Sequence, residues 1–194
     1  MSDTIARSGD GRCSNQSEVG RVVGQYGLEA LDDDAIRVAR ALAANLISEH
    51  IASADTFIAV QRIVGNAVFG CREAGVLTGL LACFPVNEEG CVQIMRGGFD
   101  AVDVDLGLIA AAGASPAAYY GWGYAASSKE GGRAVVKASL HVQRELYWAL
   151  PTFARAVTDA GKRSLCSIGF APFSEADASL LWIPACDDRD EMAA

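Results

Sequence analysis

Lys129-Glu-Gly-Gly132-Arg-Ala134 is the stretch of this chain best suited to hold an anion. It follows an aromatic run, Ala118–Ala126, and opens an amphipathic run that continues to Leu150. A helix start leaves backbone N–H groups without carbonyl partners and carries partial positive charge. A pair of glycines lets a phosphate oxygen approach that end closely. The amides of Gly131, Gly132, Arg133 and Ala134 are the expected donors, and Lys129 and Arg133 add charge. Ordinary turns also use glycine pairs, so the neighbouring elements decide between the two readings.

Other side chains offer proton chemistry. His141 is a candidate base by residue type, although it lies well inside the helix and away from its anion-binding start. His50 sits near a helix C-terminus, where a cation is favoured, and that structural role accounts for it. Asp100, Asp103 and Asp105 cluster before the aromatic run, and Asp103 is the carboxylate candidate. Tyr120, Trp122 and Tyr124 share one face of a strand by their period of two. Such a face either lines a pocket or packs a core, and Tyr124 is its candidate for chemistry. No metal site is expected, because no cysteines are spaced as Cys-x-x-Cys and the chain has only 2 histidines. The apolar settings of Cys83 and Cys166 suggest buried, reduced thiols.

The elements that must position these residues follow from periodicity and punctuation. Residues 1–17 read as a disordered tail, 18–186 as one domain and 187–194 as an acidic tail. Val19–Leu28 reads as a short strand. Asp34–His50 and the segment after Ser53 read as two helices stopped at Gly65-Asn66. Ala67–Arg72 and Val76–Phe84 read as a hairpin about Glu73-Ala-Gly75. Pro85–Gly90 reads as a turn and Cys91–Met95 as a third short strand. After the central strand and helix, Thr152–Ala160 reads as a further helix, Arg163–Phe170 as a fifth strand and Ser179–Pro184 as the last. The unit from Tyr119 to Phe170 should be a parallel crossover. The fold class is α+β, with a mixed, mainly antiparallel sheet flanked by helices.

With 51% apolar residues and 21% charged ones, 194 residues suffice for one core. The net charge of −8 argues against a nucleic-acid partner. No apolar run approaches a membrane span or a signal peptide, so a cytoplasmic protein without a membrane partner is expected.

This layout resembles the acyl-CoA N-acyltransferase fold, the Gcn5-related acetyltransferases. Lys129-Glu-Gly-Gly132-Arg-Ala134 is similar to that family's phosphate motif, Gln/Arg-x-x-Gly-x-Gly/Ala, with Lys in the first place. The resemblance implies acetyl-CoA or another acyl-CoA as cofactor, held by Lys129, Gly131, Gly132, Arg133 and Ala134. It implies that Tyr124, Ala125 and Ala126 expose strand backbone to a pantetheine-like arm. It also implies transfer to an amine by direct attack on the thioester. The amine is a small molecule or a peptide, with a basic one favoured by the acidic surface. The family's Asn on the fifth strand and its acid Tyr have no counterpart between Arg163 and Pro184. A non-catalytic binding or regulatory protein of the same fold, dimeric through a sheet edge or aromatic face, is therefore the alternative.

Overall fold

The computed structural model of the chain describes residues 11–13 and 15–186. The chain begins with α1 (Gln16–Gly24), β1 (Leu28–Ala30), α2 (Asp33–Leu46) and α3 (Ala54–Val64). The hairpin β2 (Val68–Glu73) and β3 (Val76–Val86) leads into α4 (Glu88–Arg96). Then come β4 (Ala118–Ala126), α5 (Lys129–Leu146), β5 (Thr152–Arg155) and α6 (Asp159–Ser167). Two short strands, β6 (Ala171–Pro172) and β7 (Leu180–Ile183), close the fold.

One 7-stranded sheet runs in the order β1-β2-β3-β4-β5-β7-β6. Every neighbouring pair is antiparallel except β4 and β5, which are parallel and joined through α5. Helices cover both faces, because the central strands are buried on both. Leu80, Phe84 and Tyr120 pack with α2, α3 and α4 on one face. Phe69, Leu81 and Tyr119 pack with α1 and α5 on the other. Trp122 is an extra residue in β4: Ala82 pairs with Gly123 and Cys83 with Gly121, which leaves Trp122 as a bulge.

Several expected elements change type. Val19–Leu28 is mostly helix, since Val19, Val22 and Val23 recur at helical spacing and are fully buried beside α5. Asn15 caps that helix by accepting the Ser17 N–H at 3.0 Å. Residues 11–13 and 15–17 of the expected tail are therefore placed, with Cys13 N–H bonded to the Leu146 carbonyl at 3.1 Å. The rest of that tail, and the acidic tail at 187–194, lie outside the described residues. Pro85 and Val86 continue β3, and Cys91–Met95 is part of α4. Asn87 accepts the Gly90 N–H at 2.9 Å and Gly97 ends the helix at φ +77°. The parallel partner of β4 is Thr152–Arg155, not Arg163–Phe170, so the crossover ends sooner. Most of that later segment forms α6, capped by Thr158 and closed by Gly169 at φ +104°. No helix among the described residues is long and apolar enough to cross a membrane.

Candidate functional site

The ladder between β4 and β5 holds only three pairs, Tyr119 with Thr152, Tyr120 with Phe153 and Gly121 with Ala154. Beyond them β5 follows β7, pairing Arg155 with Leu180, while β4 stays with β3 as far as Ala126. The two parallel strands thus fork at their carboxyl ends, where crevices of mixed sheets form. A cleft of about 780 Å³ fills the fork and passes from the α5–α6 side of the sheet to the α2 side. The Ser127 N–H bonds back to the Thr78 carbonyl on β3 at 2.9 Å. Strand alternation then turns the backbone groups of Tyr124 and Ala126 toward the open side, where no strand meets them.

Two helices begin at this mouth. Ser128 caps α5 by accepting the Gly131 N–H at 2.9 Å, and its carbonyl accepts the Gly132 N–H at 3.0 Å. The amides of Gly131 and Gly132 therefore bond within the chain, and those of Arg133 and Ala134 lie inside the helical ladder. The first-turn donors left open are the amides of Lys129 and Glu130. Lys129, Gly132, Arg133 and Lys137 line the cleft. Gly131 instead faces the sheet, where an added Cβ would lie 2.9 Å from the Thr78 carbonyl oxygen. At Gly132 an added Cβ meets only Ala126, at 3.7 Å. One glycine of the pair serves packing and the other leaves room.

Glu73, at the end of β2, stands behind this helix start. Its carboxylate accepts hydrogen bonds from the Ser128 hydroxyl and, at 3.1 Å, from the Thr78 hydroxyl. The Ser128 bond above all holds Glu73 below the usual carboxylate range. From sequence this carboxylate reads as a loop residue with no decisive support for a chemical role. Its place beside Gly75 in a tight turn carried no chemical signal; only the fold brings it to α5.

The bulge at Trp122 separates the aromatic stripe. Tyr120 and Trp122 face α2 and α3, with Trp122 4.0 Å from Phe57 between ring centroids. Tyr124 faces α5 and α6 instead. Its hydroxyl accepts from Ser139 at 3.0 Å and sits where a Cβ on Gly121 would be, 2.1 Å away. Burial pushes the Tyr124 hydroxyl well above its ordinary pKa. The expectation that all three rings share one face fails because a strand's period of two is reset by one extra residue.

The other candidates lie elsewhere. His141 points to the turn after α1: its Nδ1 is 3.4 Å from Glu145 of the same helix and its ring is 5.0 Å from Tyr26. It is not part of the cleft wall. Asp103 is exposed in the loop before β4, and its amide donates to Asp100 at 3.1 Å. Asp100 and Asp105 cap turns of the same loop, and none of the three carboxylates lines the cleft. His50, assigned a structural role from sequence, does line it. Cys83 is buried as expected, with its thiol pushed up to about 12 by desolvation. Cys166 is exposed, because its segment is a surface helix and not a central strand.

Arg155 marks the fork itself. Its Nη1 donates to Asp177 at 2.7 Å and to Ser179 at 2.6 Å. Ser179 and Arg155 together hold Asp177 at about 2. Burial pushes the adjacent Tyr120 hydroxyl up to about 12, with Arg155 pulling the other way. Arg155 is a lining residue that sequence reasoning missed, since its segment read as helix.

No protein-family model matches the sequence, and no curated protein matches it. Among solved structures, Ard1 from Thermoplasma volcanium is similar, with a TM-score of 0.53 at 13% identity. The match covers 82% of this chain and 97% of that one. This likeness shows the fold: a distant form of the acyl-CoA N-acyltransferase, or Gcn5-related, architecture.

Proposed function

We propose that the protein is an acyl-CoA-dependent N-acyltransferase acting on an amine. The observation that carries this reading is the β4–β5 fork, with open strand backbone beside a helix start lined by Lys129, Arg133 and Lys137. A bound acyl-CoA would supply the acyl group in thioester form. The residues present suit such a group: the Lys129 and Glu130 amides, the three cations and the space at Gly132 accept phosphate charge. Backbone N–H groups of Tyr124 and Ala126 on the open side of β4 are placed to donate to a carbonyl oxygen and stabilise charge developing there. The strand edge also orients whatever extended chain lies along it.

A second reading, a non-catalytic binding or regulatory protein, draws on the cleft wall. Among the described residues no Asp or Glu lines it, and the Tyr124 hydroxyl is tied to Ser139. Calorimetric titration with coenzyme A and acetyl-CoA tests the shared premise. Wild type is expected to bind, and Gly132→Asp to weaken binding at least ~10-fold, or about 1.4 kcal/mol, while remaining folded. Unchanged affinity in the variant would remove the phosphate site from α5. Turnover of an amine separates the enzyme from the binding protein.

A further inference from the structure

The two ends of the cleft differ in charge. The α5–α6 end carries Lys129, Arg133 and Lys137. The α2 end is walled by Leu46, Ile47, Ile51, Phe57, Val102 and Trp122. Arg155 stands where the ends meet, and its charge is met by Asp177 at 2.7 Å. Among the described residues no carboxylate faces the cleft from any element around it, with His50 at the α2 end as the one imidazole.

An ammonium entering the α2 end would lose water and gain no counter-charge, which disfavours it. The cations on α5 would oppose it further. The acidic surface of the protein attracts cations only over a screened range of about 8 Å at physiological salt. The wall, which is in contact, decides. We propose that the acceptor is an uncharged amine on an aromatic body, not a lysine side chain, a polyamine or a basic peptide. This rests on the acyltransferase reading and deepens it.

The wall also fits the ring. Phe57, Tyr120 and Trp122 present aromatic faces and edges to one chamber, the arrangement in which a further ring stacks or packs edge-on. An arylamine carries its nitrogen lone pair free at neutral pH, so no carboxylate is needed to deprotonate it before attack. In the transfer the acyl carbon exchanges its C–S bond for a C–N bond. The amine gives up one proton and the departing sulfur takes one, so no further reactant enters.

Binding to the coenzyme A-loaded protein is measured by saturation-transfer NMR for aniline, 5-aminoindole, spermidine and a lysine-containing peptide. The two aromatic amines are expected to bind at least ~10-fold more tightly than the cations. Equal or tighter binding of spermidine or the peptide, or no binding of the aromatic amines, overturns the assignment. Leu46 is 43% exposed, so Leu46→Asp adds a carboxylate to the chamber without emptying the core. It should weaken the aromatic amines and strengthen spermidine. If it weakens a long-chain acyl-CoA and leaves the amines unmoved, the chamber holds an acyl tail and the proposal fails. Coenzyme A affinity, read by calorimetry on the same samples, reports separately on the underlying acyltransferase reading.

Discussion

The helices that start at the cleft are spelled almost alike. α5 opens Ser128-Lys-Glu-Gly131 and α6 opens Thr158-Asp-Ala-Gly161. In each the hydroxyl accepts the glycine N–H, at 2.9 Å and 3.0 Å. Each also carries an acid in its first turn, Glu130 in α5 and Asp159 in α6. There the likeness ends, for α6 is 9 residues long. α5 is 18 residues long and has Glu73 of β2 behind its cap, which leaves its cationic side to the cleft. A capping motif therefore reports where a helix begins. Whether that beginning serves a ligand depends on what other elements bring to it.

Exchanging equivalent positions sharpens this contrast. The largest difference is expected at the glycines. Gly131→Ala pushes a methyl toward the Thr78 carbonyl, 2.9 Å away, and should cost about 2 kcal/mol of stability in a denaturant titration. At Gly161 the methyl meets only the Thr158 hydroxyl, at 3.1 Å. Gly161→Ala should lie within about 0.5 kcal/mol of wild type, helped by the better helix propensity of alanine. Equal costs at both positions would erase the packing distinction.

The caps come next. Thr158→Ala should cost about 1 kcal/mol. Ser128→Ala should cost more, because it also strips Glu73 of a hydrogen bond; thermal unfolding of the two variants side by side measures the gap.

The smallest effect is one of pH. Glu73 is held below its ordinary value when folded, so it stabilises the protein above the usual carboxylate range. That contribution is lost as pH falls through its lowered folded value. Wild type should exceed Glu73→Gln in stability at neutral pH and converge with it in acid. A difference that grows toward low pH would show that Glu73 does not act as the anionic partner of α5.

Much of this architecture was legible where local signals agreed. α2, α3, the β2–β3 hairpin, β4 and α5 each carry a cap or turn residue at the edge of a clear period. The site's first ingredient, a glycine pair opening a helix after a strand, was visible for the same reason. The segment from Thr152 to Phe170 was not. β5 is four residues with its first three buried, too short and too uniformly apolar to show alternation. α6 buries only Leu165 within its span, so it shows no apolar stripe. Ser164-Leu-Cys-Ser-Ile is short and half apolar, so it reads as a strand, although Leu165 and Ile168 stand three apart, at a helical spacing. α4 carries signals that the turn-and-strand reading of Pro85–Met95 passes over: Asn87 before two glutamates and Gly97 after Arg96 form a complete pair of helix signals. The fork, and with it Arg155 at the cleft and Glu73 behind the α5 cap, depends on pairings distant in sequence, which no local pattern records.

Trp122 has a consequence for how this chain can change. β4 behaves like a line of text whose odd and even letters are read by different readers. Before the bulge, one reader sees Tyr120; after it, that reader sees Ala125 and the other sees Tyr124. Removing or adding a single residue anywhere between Gly121 and Ala126 would hand each side the message meant for the other. Tyr124 would enter the apolar chamber and Ala125 would turn to α5. Length variation in this strand is therefore tolerable only in steps of two, and the bulge is a fixed frame for both halves of the cleft.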